Sequence, residues 1–160
     1  MTLSWISPGA PTVFPSRTMP DSLPPAGAAT ALSPDGYPPV RRRIVVAEDH
    51  AEMADVLQTY LEAAGYEVHL ARDGVHAASL IESVNPELAV LDANMPGLSG
   101  WTLLARLKER GADAPLVVML TGDDDFPAES ARADVILRKP AALRRVAAVL
   151  ADLLAGREPG

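Results

Sequence analysis

The sequence contains no cysteine and no long hydrophobic run. The missing cysteine excludes disulfides, thiolate metal sites and cysteine nucleophiles, and it suits a reducing compartment. No apolar run approaches the ~20 residues that a membrane-spanning helix needs. The N-terminus also lacks the basic segment and the uninterrupted apolar segment of a secretory signal. We therefore expect a cytoplasmic protein with no membrane partner.

Positive charge is scarce after residue 43. Residues 1–43 contain four of the 14 basic side chains and two of the 21 acidic ones. The other ten basic and nineteen acidic side chains lie in residues 44–160 and give that part a net charge of −9. Such a surface repels phosphate backbones, so we expect no nucleic-acid partner. Acidic groups gathered at one place would instead attract a cation.

Proline is concentrated at the N-terminus, where nine of the fifteen prolines precede residue 40. Because proline fixes φ and removes a backbone donor, this stretch cannot propagate a helix or join a central strand. We predict that residues 1–42 form a disordered, proline-rich N-terminal extension. A docking segment for a partner is the alternative, and translation from Met19 would shorten the extension.

Short apolar runs alternate with helical patterns after Arg43. Strands are predicted at residues 44–47, 67–71, 88–91, 116–120 and 135–137, with helices at about 51–64, 74–84, 99–110, 127–133 and from about 143 onward. This (βα)₅ pattern predicts a doubly wound α/β fold, with a five-stranded parallel sheet and helices on both faces. The fourth helix is predicted to be short.

Reactive side chains follow four of the five predicted strands. Glu48 and Asp49 follow the first strand and Asp92 the third, while Thr121 and Lys139 follow the fourth and fifth. In such folds the ligand site lies beyond the carboxyl ends of the strands. Three carboxylates gathered there would bind Mg²⁺, and an ammonium and a hydroxyl would contact a phosphate. The pattern indicates phosphoryl transfer to a carboxylate.

The chain resembles the receiver domain of bacterial two-component response regulators, of the stand-alone chemotaxis type, over residues 43–155. The resemblance rests on Glu48-Asp49, Asp92-Ala93-Asn94-Met95-Pro96-Gly97, Gly100, Thr121 and Lys139-Pro140. It implies a flavodoxin-like receiver domain at residues 43–156 and a C-terminal tail at residues 157–160.

The resemblance also implies a role for each matching residue. Asp92 is the expected phosphoacceptor. Asp49, Asp92 and the backbone carbonyl of Asn94 are the expected Mg²⁺ ligands, with Glu48 acting through water. Lys139 is expected to contact the phosphoryl group, and Thr121 to move toward it. The Lys139-Pro140 peptide bond is expected to be cis.

The sequence departs from the family at two places. Ile136 stands where many receivers have an aromatic residue that rotates when the threonine moves. The segment from Thr121 to Lys139 is short by about one helical turn, and the fourth helix belongs to the usual dimerisation surface. We therefore expect an altered switch, and a monomer or a weak dimer.

Several residues outside these motifs are interpreted as structural or surface residues. His50, His69 and His76 lack partners at metal-ligand spacing, and we interpret His50 as a surface histidine, with indirect support of the acidic site as the alternative. One of the aspartates at 123–125 is predicted to cap the short fourth helix. Trp101 is predicted to lie in the core or at its rim, and the arginines at 41–43 to be solvated.

The sequence predicts a single-domain response regulator. It would accept a phosphoryl group on Asp92, with Mg²⁺, from a histidine kinase or a histidine phosphotransfer protein, and signal through a downstream protein. Phosphorylation and dephosphorylation would be self-catalysed, so it is not expected to be an enzyme in the usual sense. About five residues follow the last helix, so we expect no output domain in this sequence.

Two other functions use similar residues or the same fold. A phosphatase of the haloacid-dehalogenase type needs an acid two residues after the nucleophile, where this chain has Asn94. A pseudo-receiver that works without phosphorylation is the main alternative.

Overall fold

The structure, a computed structural model, describes residues 41–124 and 126–157. Most of the predicted N-terminal extension, residues 1–40, lies outside the described part, as do residues 158–160 of the predicted tail. The described helices include none that is long and apolar enough to cross a bilayer.

Five parallel strands form one sheet in the order β2-β1-β3-β4-β5. The strands are β1 Arg43–Ala47, β2 Glu67–Ala71, β3 Leu88–Asp92, β4 Leu116–Thr121 and β5 Val135–Arg138. Every residue of β3, the central strand, is buried, which explains its continuous apolar sequence. The order reverses between β1 and β3, so the crevice for a ligand is expected at their carboxyl ends.

Four α-helices cover the two faces of the sheet. They are α1 Ala51–Ala63, α2 Gly74–Val84, α3 Gly100–Lys108 and α4 Leu143–Ala155. Asp73 caps α2, as predicted, by accepting a hydrogen bond from the N–H of His76 at 2.7 Å. The predicted doubly wound fold is confirmed.

Successive residues of the sheet face two separate cores. Along β3, Ala89 and Leu91 pack with α2 and α3, whereas Leu88 and Val90 pack with α1 and α4. Fully burying a leucine or valine side chain stabilises a fold by about 1.5–3 kcal/mol relative to leaving it exposed. The two cores therefore hold the central strands, and the loops after them, in fixed positions.

A short 3₁₀ helix, Ala128–Arg132, stands in place of the predicted fourth helix, whose shortness is thereby confirmed. The predicted aspartate cap is wrong, because Pro127 occupies the capping position and no side chain caps this helix. Asp123 instead accepts a hydrogen bond from Asn94, and Asp124 forms an ion pair with Arg138.

Aromatic contacts fasten this shortened segment to α3. The ring of Phe126 packs edge-on against Trp101, with 6.3 Å between centroids, and the Arg138 guanidinium lies 5.9 Å from the Phe126 centroid. Trp101 is half-buried at the edge of the α2–α3 core, as predicted. Ile136 is half-buried against the same core.

Two arginines, one predicted to be solvated and one assigned to the tail, make specific contacts with the folded domain. Arg42 forms a 2.6 Å ion pair with Glu87, so it is not simply solvated. Arg157, assigned to the tail from the sequence, donates hydrogen bonds to the carbonyl groups of Glu87, Ala112 and Ala114. These contacts tie the end of α4 to the amino-terminal edge of the sheet.

Gly100 lets α3 begin directly against the end of β3. A Cβ atom at Gly100 would lie 2.1 Å from the carbonyl oxygen of Asp92, which is backbone and cannot move aside cheaply. The absence of a side chain at this residue therefore fixes the distance between α3 and the strand that carries Asp92.

We expect Gly100→Ala to lower the free energy of unfolding by about 1–3 kcal/mol, because it overpacks this contact. Gly122→Ala is the matched control, since a Cβ atom there meets nothing within 4 Å, and it should change stability by less than about 0.5 kcal/mol. Urea unfolding of both variants provides the measurement. Equal losses in the two variants would contradict this role of Gly100.

Candidate functional site

The predicted site residues gather at the carboxyl edge of the sheet because the strands are parallel and in level register. Ala47 aligns with Leu91 across β1 and β3, so Glu48 and Asp92 leave neighbouring strands at the same height. Thr121 aligns with Arg138 across β4 and β5, which brings Lys139 to the same edge.

Glu48 is a fully buried carboxylate at the base of the site. Its Oε2 lies 2.9 Å from Nζ of Lys139, and its Oε1 accepts a 3.2 Å hydrogen bond from the N–H of His50. A buried charge without such partners would be strongly destabilising. The ion pair with Lys139 therefore allows a carboxylate at this depth.

Asp92 lies beside that pair and is almost fully buried, with 4 % of its surface exposed. Its Oδ1 accepts a 3.2 Å hydrogen bond from the N–H of Asn94 and lies 3.2 Å from Nζ of Lys139. Burial raises the pKa of Asp92 to about 6; the charge of Glu48 also raises it, while the Asn94 N–H and Lys139 oppose the rise.

The Lys139 ammonium is shared by the Glu48 and Asp92 carboxylates. Burial alone would lower the pKa of Lys139, but the hydrogen bond to Glu48 and the charge of Asp92 raise it above its ordinary value. The Lys139-Pro140 peptide bond is cis, as the resemblance predicts.

Asp49 stands at the outer side of the site, with 31 % of its side chain exposed. Burial acts to raise the pKa of Asp49, but its interactions with the Asp92 carboxyl, the backbone and His50 outweigh it, so that the pKa lies below its ordinary value.

The charges of the site fit a divalent cation. Glu48, Asp49 and Asp92 carry three carboxylates, and the ammonium of Lys139 compensates part of their charge. Asp92 holds a proton more tightly than an ordinary aspartate partly because of Glu48. Hard carboxylate oxygens, one of them partly open to solvent, are the donor set that Mg²⁺ prefers.

Thr121 is fully buried and points its hydroxyl toward the loop that follows β4. Its Oγ1 accepts a 3.1 Å hydrogen bond from the N–H of Asp123. The Asp123 carboxylate in turn accepts a 2.9 Å hydrogen bond from Nδ2 of Asn94. This bond joins the loops after β3 and β4 above Asp92.

The link between Asn94 and Asp123 is the part of the site that the sequence interpretation missed. The sequence predicts only that one of the aspartates at 123–125 caps a helix, although the place of Asp123, two residues after Thr121, is a signal for a role at the strand end. The side-chain amide of Asn94 donates to Asp123, and its backbone N–H donates to Asp92. The role of its backbone carbonyl as a Mg²⁺ ligand stays a prediction.

A cavity of about 590 Å³ opens beside the buried pair. Glu48 and Lys139 line it together with Met53 and Val56, two apolar residues of α1. The site is therefore open on the α1 side.

Comparisons with known proteins agree with this geometry. The sequence model of the response regulator receiver domain matches residues 44–151. Two curated relatives are the response regulators MprA of Mycobacterium avium (strain 104) and of Mycobacterium tuberculosis (strain ATCC 25177 / H37Ra). Each is 36 % identical over 120 residues, which is 73 % of this chain and 53 % and 52 % of the respective relative. The chain spans about half the length of the curated relatives it matches.

Solved structures show the same fold. The receiver domain of the Francisella response regulator 1452 gives a TM-score of 0.68 at 25 % identity, covering 74 % of this chain and all of that one (100 %). The CheY-like receiver domain from Methanospirillum hungatei JF-1 gives 0.67 at 25 % identity, with 72 % and 95 % covered. Together with the family match, these similarities show that the chain belongs to the response regulator receiver domain family.

Proposed function

We propose that this receiver domain accepts a phosphoryl group on Asp92, with Mg²⁺, from a phosphohistidine of a histidine kinase or a histidine phosphotransfer protein. Receiver domains are signalling modules rather than classical enzymes, and phosphoacceptor function is general for the family. The observation that carries the proposal is the position of Asp92, a buried carboxylate whose Oδ1 lies 3.2 Å from Nζ of Lys139, at the sheet edge where Glu48 and Asp49 follow β1. The proposed setting is the cytoplasm, which the cysteine-free sequence suits.

Asp49, Asp92 and the backbone carbonyl of Asn94 would hold the cation, with Glu48 acting through a bridging water. Bound Mg²⁺ supplies positive charge that neutralises the carboxylates and the phosphoryl oxygens. The fixed hydrogen bonds around Asp92 leave the protein little to reorganise when charge develops, which favours a loose phosphoryl-transfer transition state.

The transfer step is an in-line displacement at phosphorus. An Asp92 carboxylate oxygen forms the new P–O bond as the P–N bond of the phosphohistidine breaks, and the donor imidazole keeps the electron pair. Nζ of Lys139 lies 3.2 Å from Oδ1 of Asp92, and it would pair with a phosphoryl oxygen once the carboxylate is phosphorylated. The Thr121 hydroxyl accepts a hydrogen bond from the N–H of Asp123, so its own hydrogen would be available to donate to a second phosphoryl oxygen.

Signalling would then pass to a downstream protein through contacts that change near Thr121. Ile136 offers no ring to rotate, so the altered switch expected from the sequence remains part of the proposal. The stand-alone arrangement also stays a prediction, because the curated relatives extend well beyond the matched region. A pseudo-receiver is the remaining alternative, and phosphorylation tests it directly.

We expect acetyl phosphate with Mg²⁺ to add one phosphoryl group to the wild-type chain, measured by intact mass. Asp92→Asn should add none, because an amide is not the required nucleophile. Asp113→Asn is the matched control, since Asp113 lies between α3 and β4 at the opposite edge of the sheet, and it should be labelled like the wild type. A wild-type chain that gains no mass would favour the pseudo-receiver.

We expect Asp49→Ala to weaken Mg²⁺ binding at least about tenfold in calorimetry, since it removes the most accessible of three clustered carboxylates. The variant should be at least as stable as the wild type without metal, because the repulsion between the remaining acids falls. Glu52→Ala, which removes the same charge from the adjacent exposed turn of α1, should leave the affinity nearly unchanged. Comparable weakening in both variants would refute a specific role for Asp49.

We expect Asp92→Asn to stabilise the fold in EDTA, and more so at pH 8 than at pH 4.5. The folded-state pKa of Asp92, about 6, lies above the ordinary value of 3.8, so the fold prefers the protonated form. That preference stabilises the wild type at low pH and is lost as pH rises through about 6. The ionised carboxylate then costs at most about 3 kcal/mol.

Urea unfolding of both proteins at the two pH values isolates this effect, because the other titrating groups are shared. An advantage of the variant that is equal at pH 4.5 and pH 8 would contradict the raised pKa of Asp92.

A further inference from the structure

Helix α1 carries apolar residues on its outer side as well as on the side that faces the sheet. Its buried residues are Ala54, Leu57 and Leu61. Val56 and Tyr60 lie one turn apart outside that set, and 47 % and 38 % of their surfaces are exposed. They are two of the four large hydrophobic residues that are exposed in the described part of the chain. Single exposed apolar residues are ordinary, whereas neighbouring ones indicate a contact surface.

A groove of about 400 Å³ lies over this outer side of α1. It is lined by five residues of α1 and by the first residue of α4, namely Asp55, Val56, Thr59, Tyr60, Ala63 and Leu143. We call this surface the α1 groove. Val56 also lines the cavity beside Glu48 and Lys139, so the α1 groove adjoins the open side of the acidic site.

The chain enters the domain near the other end of the α1 groove. Ala63, the last residue of α1, lines the groove, and three residues, 64–66, separate it from β2. At the start of β2, the N–H of Glu67 donates a hydrogen bond to the carbonyl of Arg42. Residues 1–40 therefore join the domain beside the groove.

Residues 3–14 are an apolar segment within reach of the groove. This segment contains Leu3, Trp5, Ile6, Val13 and Phe14. The 26 residues at 15–40 span at most about 85–95 Å, whereas the 13 residues of α1 form a helix about 20 Å long. Contact within one chain also takes place at an effective concentration on the order of millimolar, so a weak intrinsic affinity is sufficient.

Charge favours this segment over a second copy of the domain as the occupant of the groove. Glu52 and Asp55 lie beside the groove, and residues 44–160 carry a net charge of −9. Two domains that face each other through α1 would bring these acids together. Residues 1–20 contain Arg17 and no acidic residue, so the segment meets no such repulsion.

We propose that residues 3–14 of this chain dock in the α1 groove, with Trp5 and Phe14 covering Val56 and Tyr60. Large aromatic side chains are frequent anchors of protein contacts. Because the groove adjoins the acidic site, the docked segment borders the side on which that site is open. The inference does not depend on the proposed function, since the contact forms without phosphorylation.

The absence of cysteine allows a single nitroxide label to be attached to the full chain through Ser16→Cys. The label lies next to the proposed segment and broadens the amide NMR signals of residues close to it. The signals of residues 56–63 should lose at least about half of their intensity, because most molecules hold the segment in the groove. The signals of α2, which packs on the opposite face of the sheet, should keep theirs.

Substitutions on either side of the contact should restore the intensity. Trp5→Ser with Phe14→Ser removes the proposed anchors and changes no described residue, so its effect does not come from damage to the fold. Val56→Ser with Tyr60→Ser removes their partners. Val75→Ser is the matched control, since Val75 is 61 % exposed on α2, and it should leave the broadening unchanged.

Two results would overturn the proposal. One is an absence of selective broadening at residues 56–63, and the other is broadening there that persists in Trp5→Ser with Phe14→Ser. A mixture of labelled chain without ¹⁵N and unlabelled chain with ¹⁵N reports contacts between molecules. Equal broadening of the groove in that mixture would assign the contact to a second copy and would also reject docking within one chain.

Discussion

The contact of the Lys139 ammonium with the Glu48 and Asp92 carboxylates is the interaction on which the site depends. It joins Glu48, which follows β1, to Asp92 at the end of β3 and to Lys139 after β5. The contact therefore links three strands of the sheet at their carboxyl ends. Two nearly buried carboxylates cannot both stay ionised beside each other without such compensation. One ammonium does not cancel both charges, which is why the pKa of Asp92 is raised and why the site retains affinity for a further cation.

The same constraint explains how the surrounding structure is arranged. The apolar strands and Gly100 hold Asp92 in place from behind, while the Asn94–Asp123 link crosses above it. Asp92 therefore lies on a buried strand and Glu48 and Lys139 directly follow strands, whereas Asp123 lies in the loop after β4. The shortened segment is held to α3 by the ring contact of Phe126 with Trp101, and its loop is also attached through Asp123 and Asp124.

The sequence predicts the architecture because each strand of the sheet is a short apolar run and each α-helix has an apolar stripe. It also predicts the cluster of Glu48, Asp92 and Lys139, since parallel strands bring their carboxyl ends to one edge. It does not predict that Asp123 bonds to Asn94, because the partners are 29 residues apart and belong to loops without periodicity. The sequence does not predict the hydrogen bonds of Arg157 either, because their acceptors are backbone carbonyls that any residue could supply.

The anchored arginines determine from which side the chain enters and leaves the domain. The carbonyl of Arg42 accepts a hydrogen bond from the N–H of Glu67, where β1 and β2 begin. The guanidinium of Arg157 donates hydrogen bonds to carbonyls near the starts of β3 and β4. Both attachment points lie at the edge of the sheet remote from Asp92. An affinity handle or a surface tether joined through either residue would therefore orient the molecule with its acidic edge outward, open to an incoming phosphodonor.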